Sequence, residues 1–195
     1  MEGDSIALGQ GLQPTQIYGW TASHSFSTTY AYYNQAGGAD TTANVISRES
    51  ADEAILNSFA GPFAYTLGVG ANDLANSGLT PAATYANIQS ICSSITAAVA
   101  GVKIILMTVL PGNFSGSTFG STFELNRQAL NTLERTGGTC PMILADVGND
   151  ATIGQAGQWS NATYYQADGI HPTAAGDAII SSYDRTGLVT AGFGP

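Results

Sequence analysis

The sequence predicts an α/β domain with a mainly parallel sheet, and two observations support this class. Apolar runs of strand length are mostly continuous rather than alternating, as expected for strands buried on both faces. These runs alternate with segments of helical periodicity, and no hairpin signal joins one run to the next. Because 195 residues is a usual length for one hydrophobic core, we expect a single domain over residues 1–195.

Each predicted strand ends at a glycine turn or a polar cluster. The first, residues 28–35, consists mainly of aromatic and β-branched residues and stops before Gly37-Gly38. Three mostly apolar runs follow, at residues 63–69, 102–110 and 142–147. In open α/β sheets ligands bind beyond the carboxyl ends of the strands, so the polar clusters at these ends are the expected site.

Four segments show the spacing of amphipathic helices. Residues 41–59 carry apolar side chains among acids, and residues 119–135 repeat that pattern. Between them a helix is expected to begin at Pro81, since proline is favoured at the first helical position. The last predicted helix begins near Thr173.

The charge of the chain excludes several classes of partner. Five Lys and Arg stand against 14 Asp and Glu, for a formal net charge of −9. The few cations are scattered, which argues against nucleic-acid binding and against an anionic membrane surface. The longest apolar stretch, residues 97–110, is interrupted by Lys103 and is too short to span a membrane.

Cysteine and histidine usage gives no metal site. Cys92 and Cys140 are either buried free thiols or a disulfide, and the sequence leaves both states open. Together with His24 and His171 they show no short ligand spacing, so we expect no bound metal.

The composition favours a secreted protein over a cytosolic one. Only 10% of the residues are charged, so Ser, Thr, Asn, Gln and Gly must form most of the surface. Acceptor tripeptides for N-glycosylation at Asn113 and Asn161 are compatible with secretion. The residues from Met1 onward show no signal-peptide pattern.

Three short clusters carry groups that together could perform nucleophilic catalysis. Gly3-Asp4-Ser5 offers a hydroxyl, residues 70–73 (Gly-Ala-Asn-Asp) offer an amide donor, and residues 168–171 (Asp-Gly-Ile-His) offer an acid beside a base. Each cluster alone is equally compatible with an ordinary turn or helix cap. A serine nucleophile, however, needs a base, an acid that orients the base, and donors for the developing oxyanion. The three clusters together contain a candidate residue for each of these roles.

These residues resemble the sequence blocks of the SGNH hydrolase superfamily, the GDSL esterase/lipase family. The matching blocks are Gly3-Asp4-Ser5, residues 37–41, residues 70–73 and residues 168–171, which span nearly the whole chain. The resemblance implies a flavodoxin-like three-layer α/β/α sandwich with about five parallel strands. It also implies a serine hydrolase that acts on esters without a metal or other cofactor.

The resemblance assigns a catalytic triad residue by residue. Ser5 is expected to be the nucleophile, His171 the general base and then acid, and Asp168 the residue that orients His171. Asp4 and Asp73 are expected only to order their loops.

The expected oxyanion hole has three donors. They are the backbone N–H of Ser5, the backbone N–H of Gly38 and the side-chain amide of Asn72. The backbone N–H of Arg48 is a more remote alternative to that of Gly38.

The chain departs from the family pattern at its start. Members of the family have an apolar strand before the Gly-Asp-Ser turn, whereas here only Met1 and Glu2 precede it. We therefore expect a truncated or circularly permuted chain. Residues 188–193, or a neighbouring molecule, would then supply the missing first strand.

The predicted activity is hydrolysis of short-chain acyl esters, including acetyl esters of carbohydrates, through an acyl-enzyme on Ser5. No long apolar lid is evident, which favours small acyl groups over lipids. Trp159, Tyr164 and Tyr165 precede the Asp–His turn and are the expected substrate contacts. Two alternatives stay open: a non-catalytic carbohydrate-binding or adhesion module on the same fold, and an acyltransferase. The oligomeric state is not predicted.

Overall fold

The computed structural model describes residues 1–24 and 30–194, apart from the side chain of Trp20. Within these residues four parallel strands form one sheet in the order β1-β2-β3-β4. The strands are β1 (Glu2–Gly3), β2 (Ala64–Gly68), β3 (Lys103–Met107) and β4 (Ile143–Ala145). The predicted α/β class with a parallel sheet is confirmed.

Helices connect the strands, as expected for parallel neighbours. They are α1 (Ser5–Leu8), α2 (Tyr18–His24), α3 (Thr42–Asn57), α4 (Ala71–Ala75), α5 (Pro81–Ala98), α6 (Phe123–Thr136) and α7 (Ala174–Thr190). The four helices predicted from periodicity correspond to α3, α5, α6 and α7. The sequence did not predict α1, α2 or α4.

The sheet is covered on both faces, so the architecture has three layers. Alternate residues of β3 point to opposite sides, with Ile104 and Leu106 in one core cluster and Ile105 and Met107 in the other. The first cluster includes buried residues of α3 and α5, and the second includes buried residues of α2 and α7. This burial explains the continuous apolar runs in the sequence.

The expectation of a missing or borrowed first strand is wrong. Glu2 pairs with Leu67 and Gly3 with Gly68, so β1 is formed by the residues directly before Asp4. Residues 188–193 supply no strand, because α7 continues to Thr190. The approach of β1 to β2 requires Gly3, since a Cβ atom there would overlap the Gly68 carbonyl oxygen and its φ is 150°.

The predicted strand over residues 28–35 is also not formed. Residues 28 and 29 lie outside the described part of the chain, and residues 30–35 contain no strand. The segment instead follows β1 as an irregular edge. Tyr33 O accepts from Met1 N, Met1 O accepts from Gln35 N, and Gly3 O accepts from Gly37 N, over 2.7–3.1 Å. The sheet therefore has four strands in the described residues, where about five were expected.

Cys92 and Cys140 form a disulfide, which resolves the alternative left open by the sequence. It joins α5 to the segment before β4, with 6.0 Å between the two Cα atoms. In the described ranges, no helix combines the length and apolar character needed to cross a membrane.

Candidate active site

Ser5 lies at the turn from β1 into α1. The strand ends at Gly3, and Asp4 caps the short helix because its Oδ1 accepts from the N–H of Ile6 at 2.9 Å. The backbone of Asp4 is also tied to β2, since its N–H donates to Gly68 O at 3.1 Å. Ser5 is thus held at the carboxyl end of the sheet on a fixed backbone, and 8% of its surface is exposed.

The loop before α7 brings His171 and Asp168 to the same place. His171 Nε2 lies 2.8 Å from Ser5 Oγ, and its Nδ1 lies 2.6 Å from Asp168 Oδ2. The other carboxylate oxygen of Asp168 accepts from the backbone N–H groups of Ile170 and His171, at 2.8 and 3.0 Å. The structure therefore brings together the three residues assigned to the triad, in the order nucleophile, base and acid.

Asp168 of this set and the neighbouring Asp4 have shifted pKa values. Burial raises the pKa of Asp168, but the hydrogen bonds from His171 and from two backbone N–H groups outweigh it, and the net pKa lies below the usual range. Burial raises the pKa of Asp4 to about 6, against the lowering effect of the Ile6 N–H. Asp168 is therefore ionised over the neutral and mildly acidic range, as an acid that orients a histidine must be.

Asn72 reaches the same cleft from α4. This helix starts after Gly70, whose φ of 126° produces the sharp turn that follows β2. Asn72 Nδ2 donates to Asp40 O at 3.1 Å, and its Oδ1 accepts from Asn76 Nδ2 at 2.8 Å. Asn72 is 7% exposed, and these two contacts define which end of its amide donates.

The loop that contains Gly38 forms a turn beside Asn72. Asp40 N donates to Gly37 O at 3.3 Å, and Ala39 has a φ of 62°. Ala39 lines the cleft, and Gly38 is its neighbour in this turn. The backbone N–H of Arg48 is not an alternative, because Arg48 lies inside α3, where helix geometry engages that group.

Ser5, Asn72 and His171 line one cleft with a volume of about 250 Å³. Its other walls are partly polar and partly apolar, with Gln10, Asn76 and Ser117 in the first group and Ile6, Phe114 and Ile170 in the second. Over the ranges that the structure describes, no cluster of three or more His, Cys, Asp or Glu could hold a metal ion.

The aromatic residues predicted to contact substrate do not line this cleft. Tyr165 is 2% exposed and its hydroxyl donates to Ile153 O at 2.7 Å, so its prediction as a substrate contact is wrong. Tyr164 and Trp159 pack against the same core cluster as Tyr165, and Trp159 lies beneath Gly169. These rings support the loop that carries His171, and Phe114 is the aromatic residue in the cleft wall.

Sequence reasoning missed the residues that hold the cleft loops in place. Arg48 bridges Glu2 of β1 and Asp40 of the neighbouring loop, at 2.7 Å in each case. Asn76 contacts Asn72, as described above. The spacing of four residues between Asn72 and Asn76 could have suggested their contact. Nothing in the local sequence indicates the ion pairs of Arg48, because Arg48 and Glu2 lie 46 residues apart.

Asp73 fulfils the loop-ordering role expected of it. Its carboxylate accepts from the backbone N–H of Thr42 at 3.0 Å and also bonds the Thr42 hydroxyl, which Asn87 contacts at 2.8 Å. These bonds tie the start of α3 to α4 and α5.

Comparison with solved structures shows a shared fold. A member of the lipolytic G-D-S-L family from Veillonella parvula gives a TM-score of 0.74 at 14% identity, with 96% of each chain covered. The psychrotrophic esterase EstA from Pseudoalteromonas sp. gives 0.67 at 16% identity, over 96% of this chain and 94% of that chain. A carbohydrate esterase of family 3 from Talaromyces cellulolyticus gives 0.63 at 16% identity, over 97% and 95%.

Sequence comparison identifies the family. A search of curated proteins gives no match. The model of the GDSL-like lipase/acylhydrolase family, however, matches residues 2–179, nearly the whole chain. The chain therefore belongs to the GDSL-like lipase/acylhydrolase family and is a hydrolase.

Proposed function

We propose that the protein is a serine esterase that hydrolyses short-chain acyl esters through an acyl-enzyme on Ser5. The observation that carries this proposal is the contact of Ser5 Oγ with His171 Nε2 at 2.8 Å, with Asp168 on the opposite nitrogen of the ring. A serine hydroxyl is a poor nucleophile until a positioned base accepts its proton.

In the first half of the reaction Ser5 Oγ attacks the ester carbonyl carbon while His171 accepts the hydroxyl proton. Asp168 stabilises the imidazolium that forms and keeps its ring in place. When the tetrahedral intermediate collapses, the bond to the alcohol oxygen breaks and His171 donates the proton to the leaving alcohol. Water then attacks the acyl-enzyme with His171 as base, which releases the acid and restores Ser5.

The oxyanion of each tetrahedral intermediate needs fixed donors. We assign this role to the backbone N–H of Ser5, the backbone N–H of Gly38 and the side-chain amide of Asn72. Asn72 Nδ2 donates one hydrogen to Asp40 O, and the cleft is the place where its second hydrogen can act.

The cleft supports a small acyl group on a polar alcohol. Its volume of about 250 Å³ is below the usual range for pockets that bind drug-sized ligands. Gln10 and Ser117 offer hydrogen bonds to hydroxyl groups, and Phe114 offers an apolar surface. The fold shared with a carbohydrate esterase is consistent with acetyl esters of carbohydrates as substrates.

Hydrolysis of p-nitrophenyl acetate and p-nitrophenyl octanoate by the wild type, Ser5→Ala and Ser93→Ala tests this proposal. Ser93 is an exposed serine of α5 that bonds to Gln89 O, and it serves as the matched control. We expect Ser5→Ala to lower kcat/KM by about 10⁴-fold or more, and Ser93→Ala to leave it unchanged. The acetate should be preferred over the octanoate by about tenfold or more.

Covalent labelling separates the outcomes. A fluorophosphonate should label Ser5, as located by peptide mass spectrometry, in the wild type and not in Ser5→Ala. Labelling at another residue, or equal rates for the wild type and Ser5→Ala, would refute the assignment. Absence of both labelling and turnover would favour the non-catalytic module. Transfer of the acetyl group to an added sugar in preference to water would indicate an acyltransferase.

We also propose that the protein functions in an oxidising compartment outside the cytosol. The disulfide between Cys92 and Cys140 supports this location, because such bonds persist in oxidising environments. The sparse charge of the chain is consistent with it.

A further inference from the structure

We propose that Asn76 is a positioning residue that orients the amide of Asn72, so that Asn72 Nδ2 faces the reacting ester. This inference rests on the proposed function, since it concerns the oxyanion donor of the same reaction. It assigns a role to a residue outside the sequence blocks that point to catalysis.

Asn76 is held where its amide can reach Asn72. It follows the last residue of α4, and its backbone N–H donates to Asn72 O at 2.9 Å. The next N–H, that of Ser77, bonds to the same carbonyl at 3.1 Å. With its backbone fixed by helix-type bonds, Asn76 places its side chain one turn after Asn72, and the amides meet at 2.8 Å.

The hydrogen bonds of the Asn72 amide determine its orientation. The amide has one oxygen acceptor and two N–H donors. Its Oδ1 accepts from Asn76 Nδ2, and one hydrogen of its Nδ2 goes to Asp40 O. The second hydrogen of Nδ2 is then the donor available to the cleft, which Asn72 lines together with Ser5.

The reversed orientation would have two unfavourable contacts. A rotation of the Asn72 amide by 180° would place its oxygen against the carbonyl oxygen of Asp40 and its N–H₂ against the N–H₂ of Asn76. The Asp40 carbonyl belongs to a separate, partly exposed segment, the loop 37–40, whereas Asn76 is anchored on α4 itself. Asn76 is therefore the partner that moves with Asn72 and keeps the donor directed at the cleft.

The position of Asn76 makes the role testable. Asn76 is exposed to solvent at the cleft, so truncation of its side chain removes no buried packing. A loss of activity in Asn76→Ala would therefore not result from unfolding. Far-UV circular dichroism and thermal melting of the variant would verify that it is folded.

The test is a double-mutant cycle on p-nitrophenyl acetate with Asn72→Ala, Asn76→Ala and the double variant. We expect Asn72→Ala to lower kcat by about 10²- to 10³-fold, as is usual for loss of an oxyanion donor. Asn76→Ala should lower kcat by about tenfold with KM changed less than twofold, because a misdirected donor affects the transition state only. In the Asn72→Ala background, Asn76→Ala should cause no further loss.

Two additional variants sharpen the cycle. Asn76→Asp preserves size but presents only acceptor atoms, so the Asn72 amide would turn its N–H₂ toward the new carboxylate. Its loss of kcat should approach that of Asn72→Ala. Asn57→Ala is the matched control, since Asn57 is an exposed asparagine in the last turn of α3 that bonds to Ala98 O. It should retain wild-type kcat and KM.

Three results would overturn the positioning role: an unchanged kcat in Asn76→Ala, a change in KM alone, or losses that multiply in the double variant. Each of these can occur while Ser5→Ala and Asn72→Ala are inactive or impaired, which leaves the esterase proposal standing. Full activity of Ser5→Ala would instead refute the esterase proposal, and with it the role of Asn76.

Discussion

Two groups of residues meet at the cleft, and they are held together in different ways. The proposed proton-transfer group, Ser5, His171 and Asp168, is joined by direct hydrogen bonds among its own members. In the proposed oxyanion group, Asn72 and the loop 37–40, one bond joins the two parts, from Asn72 Nδ2 to Asp40 O. Its other supports come from outside the group: the backbone of Gly3, which accepts from Gly37 N, and the side chains of Arg48 and Asn76.

Arg48 is the longest-range of these supports. It bonds to Glu2, which is 1% exposed in the strand leading to Ser5, and it also contacts the Asp40 carboxylate. Burial raises the pKa of Glu2, against the lowering effect of Arg48. Arg48 thus connects the strand that leads to the proposed nucleophile, Ser5, to the loop that carries the proposed oxyanion donor Gly38. The proton-transfer group is therefore held together mainly by hydrogen bonds among its own residues. The position of the oxyanion group depends in addition on contacts with residues outside it.

The largest expected effect lies within the proton-transfer group. Asp168→Asn removes the charge that stabilises the imidazolium, and an amide can reverse the tautomer of His171. We expect kcat/KM for p-nitrophenyl acetate to fall by about 10³- to 10⁴-fold with the melting temperature nearly unchanged. A loss of less than tenfold would show that the acid is dispensable and that the proposed division between the groups is wrong.

An intermediate effect is expected from the support of the oxyanion group. Arg48→Met removes the ion pairs that link the loop 37–40 to β1, and we expect kcat to fall by about 10- to 100-fold through misplacement of the donors. It also leaves the buried carboxylate of Glu2 without this partner, which should lower the free energy of unfolding by about 1–3 kcal/mol.

Two further variants separate these effects of Arg48. Adding Glu2→Gln to Arg48→Met should restore the stability measured by urea unfolding, but not kcat. Arg135→Met, which breaks a partly exposed pair with Asp146 at 2.7 Å, should leave kcat unchanged. Recovery of kcat along with stability in the Glu2→Gln combination would mean that Arg48 supports only the fold.

The smallest effect on activity is expected at Asp177, in the first turn of α7 beyond His171. Asp177 Oδ2 accepts from the N–H of Tyr18 at 3.0 Å, and burial raises its pKa to about 8 against the lowering effect of that N–H. Burial also raises the pKa of both Asp4 and Asp184 to about 6. The folded protein therefore retains protons that the unfolded chain releases, so the free energy of unfolding falls as pH rises from about 4 to 8.

Asp177→Asn tests this pH dependence and separates stability from catalysis. The amide oxygen can still accept from Tyr18, and no charge is buried at high pH. We expect the melting temperature at pH 8 to rise by about 3–8 °C, with a smaller change at pH 4.5 and kcat within twofold of wild type. An identical pH slope of the melting temperature in both proteins would exclude Asp177 as a contributor.

The two groups also differ in how far the sequence predicts them. Asp168 and His171 stand three residues apart in one turn, so a short motif is enough to indicate their contact. Apart from Asn76, which lies four residues after Asn72, the supports of the oxyanion group join residues from different elements, and no local pattern specifies such a contact. Strand β1 was missed for a related reason: two residues show no periodicity, and Glu2 and Gly3 form a strand only because β2 offers a partner. The burial of Tyr165 likewise depends on packing that its neighbours in sequence do not reveal.

The separation of Ser5 and His171 along the chain has a further consequence. These residues are 166 positions apart and touch only when the first turn of the chain and the loop before the last helix have met. Closing so long a loop costs conformational entropy that local helices do not require. Activity that depends on this pair can appear only after this long-range contact has formed. During refolding, we therefore expect ester hydrolysis to recover later than the far-UV circular dichroism signal of the helices.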